Sequence, residues 1–268
     1  MTLGSTPQPA DVVAELGLVF PYTFQKSDPR PWWLADLTTA SSIVFPTSFA
    51  NKSAVKVMDT VGPSALGTSH SFAGVNFGLD YTNRILVVYV FAQSKNAGAS
   101  VPAQVLVSSW TVGGVGPDGG GSYGFFYQSG GTASSIFCGA LSAPFIVSGT
   151  SGTISFNTGI ATRCSVIVVS TPRITNDALG GFTGGFNVGT SVTANNTAVA
   201  NGILMAGTVR NAAQTITMTG VTKQTEFSHV AGYQCAWGTA YPTSAGAISA
   251  TASGASSVNE AIESSTWG

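Results

Sequence analysis

The stretch Arg84-Ile-Leu-Val-Val-Tyr-Val-Phe91 does most to limit what this chain can fold into. It is apolar at both alternating positions, β-branched and aromatic. It is strand length, far short of the roughly 20 residues a membrane-spanning helix needs. A strand apolar on both faces must be covered on both faces, so it is expected at the centre of the main domain. Cys164-Ser-Val-Ile-Val-Val169 is the candidate for a second buried strand. Around these two runs, short apolar or alternating segments are separated by Gly, Asn, Ser and Thr turns. They include Phe72–Phe77, Ala103–Val112, Tyr123–Tyr127, Ser135–Cys138, Gly202–Val209, Thr215–Thr219, Glu226–Val230, Tyr233–Trp237 and Ala247–Ala250. Ser257–Trp267 reads as a closing strand, Phe145–Phe156 as a hairpin turning at Gly149–Gly152, and 173–200 as a long Gly/Asn-rich excursion. Roughly ten to thirteen short strands, with no long helix-period segment, predict an all-β fold: an antiparallel, jelly-roll-like β-sandwich.

The surface of such a sandwich is unusual here. Charged residues make up 8% of the 268 residues, against about 25% in ordinary soluble domains. A surface this poor in Lys and Glu defends weakly against association, so cover by other subunits of a large assembly is expected. The net charge is −1 with no basic stripe, which argues against nucleic-acid binding. No apolar run suits membrane insertion. Met1-Thr-Leu-Gly-Ser-Thr-Pro7 lacks the basic start and apolar core of a secretory signal, so Cys138, Cys164 and Cys235 are expected as free thiols.

The N-terminal segment reads differently. Asp11 is placed as the cap of a short helix, Val12–Leu16, stopped by Gly17. Phe20-Pro-Tyr-Thr-Phe-Gln-Lys-Ser27 is echoed by Phe45-Pro-Thr-Ser-Phe-Ala-Asn-Lys-Ser53, with a turn or two of helix expected over Arg30–Leu37 between them. Phe20, Pro21, Phe24, Trp32, Trp33, Phe45, Pro46 and Phe49 carry more apolar surface than so short a segment can bury on itself. They either dock on the β-domain or serve as anchors on another protein.

The order Asp-Val-Val-Ala-Glu-Leu-Gly-Leu18, the Phe-Pro echoes, Trp33-Leu-Ala-Asp-Leu37 and Ser41-Ser-Ile-Val-Phe-Pro-Thr-Ser-Phe-Ala-Asn-Lys-Ser53 resembles the N-terminal segment of tailed-bacteriophage virion proteins. Those segments precede an exposed β-rich domain. Family copies often end in Gly-Lys-Ser/Thr where this chain has Asn51-Lys52-Ser53. The resemblance spans residues 8–54. It implies a non-enzymatic virion structural protein, assembled in the host cytoplasm, with residues 1–54 as particle anchor and 55–268 as the β-sandwich domain. The expected role is a head, neck or tail appendage, a spike or fibre in contact with the host surface. The implied partners are other virion proteins, further copies of the chain in a trimer or higher oligomer, and a host surface glycan. A capsid decoration protein and a carbohydrate-binding β-sandwich module are the alternatives.

Motifs for catalysis are weak. Gly114-Val-Gly-Pro-Asp-Gly119 matches a nucleotide-loop pattern, but Pro117 interrupts it and no helix follows. Glu226 and His229, with Cys235 nearby, lie at an odd offset and would point to opposite faces of a strand. His70 is expected in a polar loop, His229 on the surface, and Arg84 and Arg163 as solvated strand edges. Few acids exist to pair across a cleft, and no Gly-x-Ser-x-Gly elbow is present. No catalytic residue, metal ligand or cofactor is therefore expected.

Overall fold

The computed structural model describes residues 3, 5–16, 30–35, 42–44, 48, 53, 55–81, 84–96, 107–118, 123–129, 135–172, 179–200 and 202–267. Two short helices open the chain, α1 (Pro9–Glu15) and α2 (Arg30–Leu34). Pro9 takes the first helical position, where its missing N–H costs nothing. Asp11 therefore lies inside the helix rather than capping it, and its carboxylate accepts the Gln8 N–H at 2.8 Å. Leu3, Val12, Leu16, Leu34 and Ala35, with Ile43 against them, form a small core of their own.

Thirteen strands follow among the described residues. They are β1 (Lys56–Val61), β2 (Gly67–Asn76), β3 (Arg84–Asn96), β4 (Val107–Val112), β5 (Tyr123–Ser129), β6 (Ser135–Phe145) and β7 (Ser151–Pro172), then β8 (Leu179–Ala198), β9 (Ile203–Arg210), β10 (Thr217–Thr219), β11 (Thr222–Ser228), β12 (Gln234–Ala240) and β13 (Gly246–Trp267). The all-β, antiparallel expectation holds, and the strands fall into two sheet systems packed on each other. As expected, β3 is central: it lies between β6 and β7, and Leu86 to Ala92 are sealed on both faces. Three strands are not short. The 173–200 region, read as an excursion, contains the 20-residue β8, and β7 and β13 have 22 residues each. Nor is 145–156 a hairpin, because β6 and β7 do not pair; the chain crosses between layers there.

The long strands reveal the plan. In the first unit, the N-terminal half of β7 pairs with β2 and β4, and its C-terminal half with β1 and β3. β3 pairs with β6, and β6 with β5. In the second unit, the N-terminal half of β13 pairs with the end of β8 and with β10. Its C-terminal half pairs with the start of β8 and with β9; β9 pairs with β12, and β12 with β11. The two pairing schemes are the same once β8 is read as β1 and β2 run together. Each unit is thus a two-layer sandwich whose last strand bends from one layer into the other.

Faces correspond as well as pairings. Laying Ile85 on Ile203 carries Leu86 onto Leu204, Ala140 onto Cys235, Leu141 onto Ala236, and Val166 onto Ile262 through the strand registers. Leu86, Leu141 and Val166 fill the core of the first unit, and Leu204, Ala236 and Ile262 that of the second. Ile85, Ala140, Ile203 and Cys235 all face a third core, the seam between the units. Two equal units that oppose the same face are related by a half-turn about an axis in the plane between them. The two units together are therefore a four-layer stack with three cores.

The seam is closed by rings. Tyr89 meets Trp237 edge-on at 6.0 Å, and Phe91 meets Phe227 at 5.7 Å. Burying each such side chain stabilises the fold by about 1.5–3 kcal/mol. Gly207 makes the approach of the sheets feasible, since a Cβ there would sit 2.8 Å from the Tyr89 ring.

Candidate functional site

Three places gather polar chemistry, and each is built by the double sandwich. The first lies inside the seam. Ser142 donates its hydroxyl hydrogen to Glu263 Oε1 at 2.8 Å, and the Tyr89 hydroxyl lies 3.2 Å from Ser265 Oγ. Alternation puts these groups there: Tyr89 on β3 and Glu263 and Ser265 on β13 occupy seam-facing positions. Burial pushes Glu263 well above the carboxylate range, so it is a neutral acid. Its Oε2 has no hydrogen-bond partner among the described residues. All four side chains are sealed from solvent, so this carboxylic acid has no route to a substrate.

The second place centres on His70. Far from being a loop residue, it lies in β2 and is buried against Phe156. Ser64 Oγ lies 2.8 Å from Nδ1, and Thr162 Oγ1 lies 3.0 Å from Nε2. One assignment satisfies every proton. Cys164 S–H donates to Thr162, Thr162 donates to Nε2, Nδ1–H donates to Ser64, and Ser64 donates to the Ala65 carbonyl. Burial lowers the His70 pKa and pushes the Cys164 thiol up to about 12, which keeps both neutral. The opposite tautomer, with Ser64 donating to Nδ1 and Nε2–H to Thr162, fits the same distances, and with either one no carboxylate among the described residues orients the ring. The chain of bonds ties β2, β7 and the 62–66 turn together.

The third place is the mouth of the seam. The seam-facing parity of β3 runs 85, 87, 89, 91 and continues to Gln93; that of β7 runs back through Ser165 to Arg163. Gln93 and Arg163 are directly paired across the strands. The β11–β12 turn of the second unit closes over them. His229 in that turn bonds Ser165 Oγ through Nδ1 at 2.7 Å, linking the two units. A Cβ on Gly62 would stand 2.6 Å from Ser165 Oγ, so only glycine lets the chain cover this pair. Burial pulls the His229 pKa down to about 4, partly opposed by a backbone contact to Arg163. Its ring signals are therefore expected to hold neutral shifts through pH 6.5 in an NMR titration and to move only near pH 4; a midpoint near 6.5 would contradict the buried placement.

Beside this pair a cleft of about 630 Å³ opens between the units, lined by Gln93, Arg163, Asn211 and Tyr233 and walled by Pro63 and Val230. Gln93 is 5% exposed, and its Oε1 has no hydrogen-bond partner among the described residues. His229 Nε2, behind the cleft, is likewise unpartnered. Arg163 is exposed and is the one charged side chain among the described lining residues.

Of the residues expected as anchors, Phe20, Pro21, Phe24, Phe45, Pro46 and Phe49 lie outside the described residues, and Trp32 and Trp33 fall in α2. Glu226, His229 and Cys235 are not brought together. Glu226 accepts from Ile216 N–H and pairs with Lys223, His229 sits at the seam mouth, and Cys235 is a buried thiol facing the seam. Arg84 is no solvated edge: it is buried and donates to the carbonyls of Leu79 (2.8 Å), Val147 (2.5 Å) and Gly149 (2.8 Å). Arg163 is exposed as expected, but its cleft was not foreseen, because a cleft between units requires knowing that there are two. The legible signal was parity, with a polar residue continuing a seam-facing apolar series at each strand end. Comparison of the chain with protein-family models, with curated proteins and with solved structures returns no match.

Proposed function

We propose that the chain is a non-enzymatic structural protein of a tailed-phage virion or phage-like particle, an appendage held by its N-terminal segment with the double sandwich turned outward. One observation carries the reading beyond the sequence resemblance. Among the described residues, the N-terminal segment builds its own small core, separate from the three sandwich cores. Among the described residues it meets the sandwich through polar contacts: Ser53 Oγ to Tyr241 OH at 2.7 Å and Lys56 Nζ to the Leu34 carbonyl at 3.3 Å. The described part of the segment thus shares none of the sandwich cores, which suits an anchor. The edge of β8 supports self-association. Its 20 residues carry no charge and no proline, the devices that usually guard a strand edge, and among the described strands it pairs with β13 alone.

The test is incorporation. Replacing Phe20, Phe24, Phe45 and Phe49 together by Ala is expected to leave the circular-dichroism spectrum unchanged and to remove the protein from purified particles, measured as copies per particle by quantitative mass spectrometry. Retention at the wild-type copy number rejects the anchor. Absence of the wild-type chain from particles rejects the particle role altogether. A wild-type count in the hundreds moves the reading from appendage to decoration protein.

A further inference from the structure

We infer that the cleft at the seam mouth is a binding site for an acidic sugar unit, with Arg163 taking its carboxylate and Gln93 accepting from a ring hydroxyl. Gln93 Oε1 is buried and unpartnered, a costly state for a strong acceptor unless a donor from outside completes it. The ligand must therefore bring an O–H or N–H to the floor. Arg163, cross-strand from Gln93, stands exposed with no acid beside it among the described lining residues. Its planar donors match a carboxylate, so the ligand must also bring a negative charge. Asn211 adds one donor group and one acceptor, enough to fix a second hydroxyl.

A carboxylate and several hydroxyls within one small ring is the chemistry of a uronic or nonulosonic acid. A peptide terminus offers the same charge but lacks the several hydroxyls that Ser64, Gln93 and Asn211 are placed to take. The site also needs both units, since Gln93 and Arg163 come from the first and Asn211 and Tyr233 from the second. The Ser165–His229 bond holds the two lips in register. Binding here deepens the outward-facing reading by naming the class of surface met, and it rests on that reading only for the origin of the sugar.

The experiment uses the purified full chain, so its outcome is independent of particle incorporation. The probes are galacturonate oligomers, their methyl esters, sialyllactose, lactose and N-acetylated amino acids, followed by amide chemical-shift changes and titration calorimetry. A carboxylated sugar is expected to shift the side-chain amide signals of Gln93 and Asn211. Arg163→Gln is expected to weaken binding about 10- to 100-fold while leaving the melting temperature unchanged. Methyl esterification is expected to do the same on the wild-type chain, which reads the charge without any variant. Three results each overturn the proposal: no shift at those amides with any carboxylated sugar up to about 10 mM, equal affinity for the ester or for lactose, or preference for an N-acetylated amino acid.

Discussion

Arg210→Ala is expected to destabilise the protein by about 3–5 kcal/mol, measured by urea unfolding near pH 7. Arg210 is fully buried and pairs with Glu260, also fully buried, at 2.5 Å. The guanidinium does more than neutralise. It donates to the Ser256 carbonyl and, at 3.4 Å, to the Thr190 carbonyl. Those two acceptors lie where β8 and β13 lose register, between Ser253 and Val258, the bend at which β13 passes from one layer of its unit to the other. Removing Arg210 strands a carboxyl that burial already pushes up to about 7 against the pull of Arg210, and frees the bulge carbonyls. Two controls separate these terms. Glu260→Gln keeps a hydrogen-bond acceptor beside the guanidinium and is expected to cost less than Arg210→Ala. Arg210→Met combined with Glu260→Leu, which removes both charges, is expected to recover part of the loss. A cost below about 1 kcal/mol for Arg210→Ala would mean that the bend does not depend on this pair.

The strands of the second unit other than β8 were legible, and why that unit was not legible as a copy of the first follows from side-chain volume. The first unit fills its own core with Phe72, Val88, Leu141, Ile154 and Phe156. Their counterparts in register are Ala194, Ala206, Ala236, Ala250 and Ala252. Alanine carries almost no strand signal and little hydrophobic contrast with the Ser and Thr that alternate with it. The same holds for β8, whose Gly180-Gly181 and Asn195-Asn196 read as turn residues. It is a strand because β13 offers a partner along its length, which is a tertiary fact. The duplication is therefore carried by pairing and face, with few positions matching in kind, such as Ile85-Leu86 on Ile203-Leu204 and Val166 on Ile262. Buried charge was the other blind spot. Arg84, Arg210, Glu260 and Glu263 are all buried. A charge in a strand is normally placed on the solvent face, and nothing in a single sequence marks the exceptions.

Glu263 is the exception with the clearest consequence for stability. Below pH 4.5, the ordinary carboxyl pKa, the group is protonated in both folded and unfolded chains and its titration is neutral to stability. Above that, the unfolded chain releases the proton while the folded chain keeps it, because desolvation in the seam raises the folded pKa. The unfolded state then binds fewer protons, so stability falls as pH rises, by about 1.4 kcal/mol per pH unit until the folded pKa is reached. Glu263→Gln removes that slope while keeping an oxygen to accept the Ser142 hydroxyl. The variant is expected to match the wild type near pH 4, to exceed it at pH 7, and to widen its lead toward pH 8 in denaturant unfolding. Glu260 and His229, whose pKa values are also displaced by burial, titrate in both proteins and cancel in the difference. Parallel stability curves across pH 4 to 8 would place the Glu263 carboxyl in contact with water and the seam open at Ser142. A widening gap would mean that the protein keeps a neutral acid between its two units at a cost to stability that rises with pH.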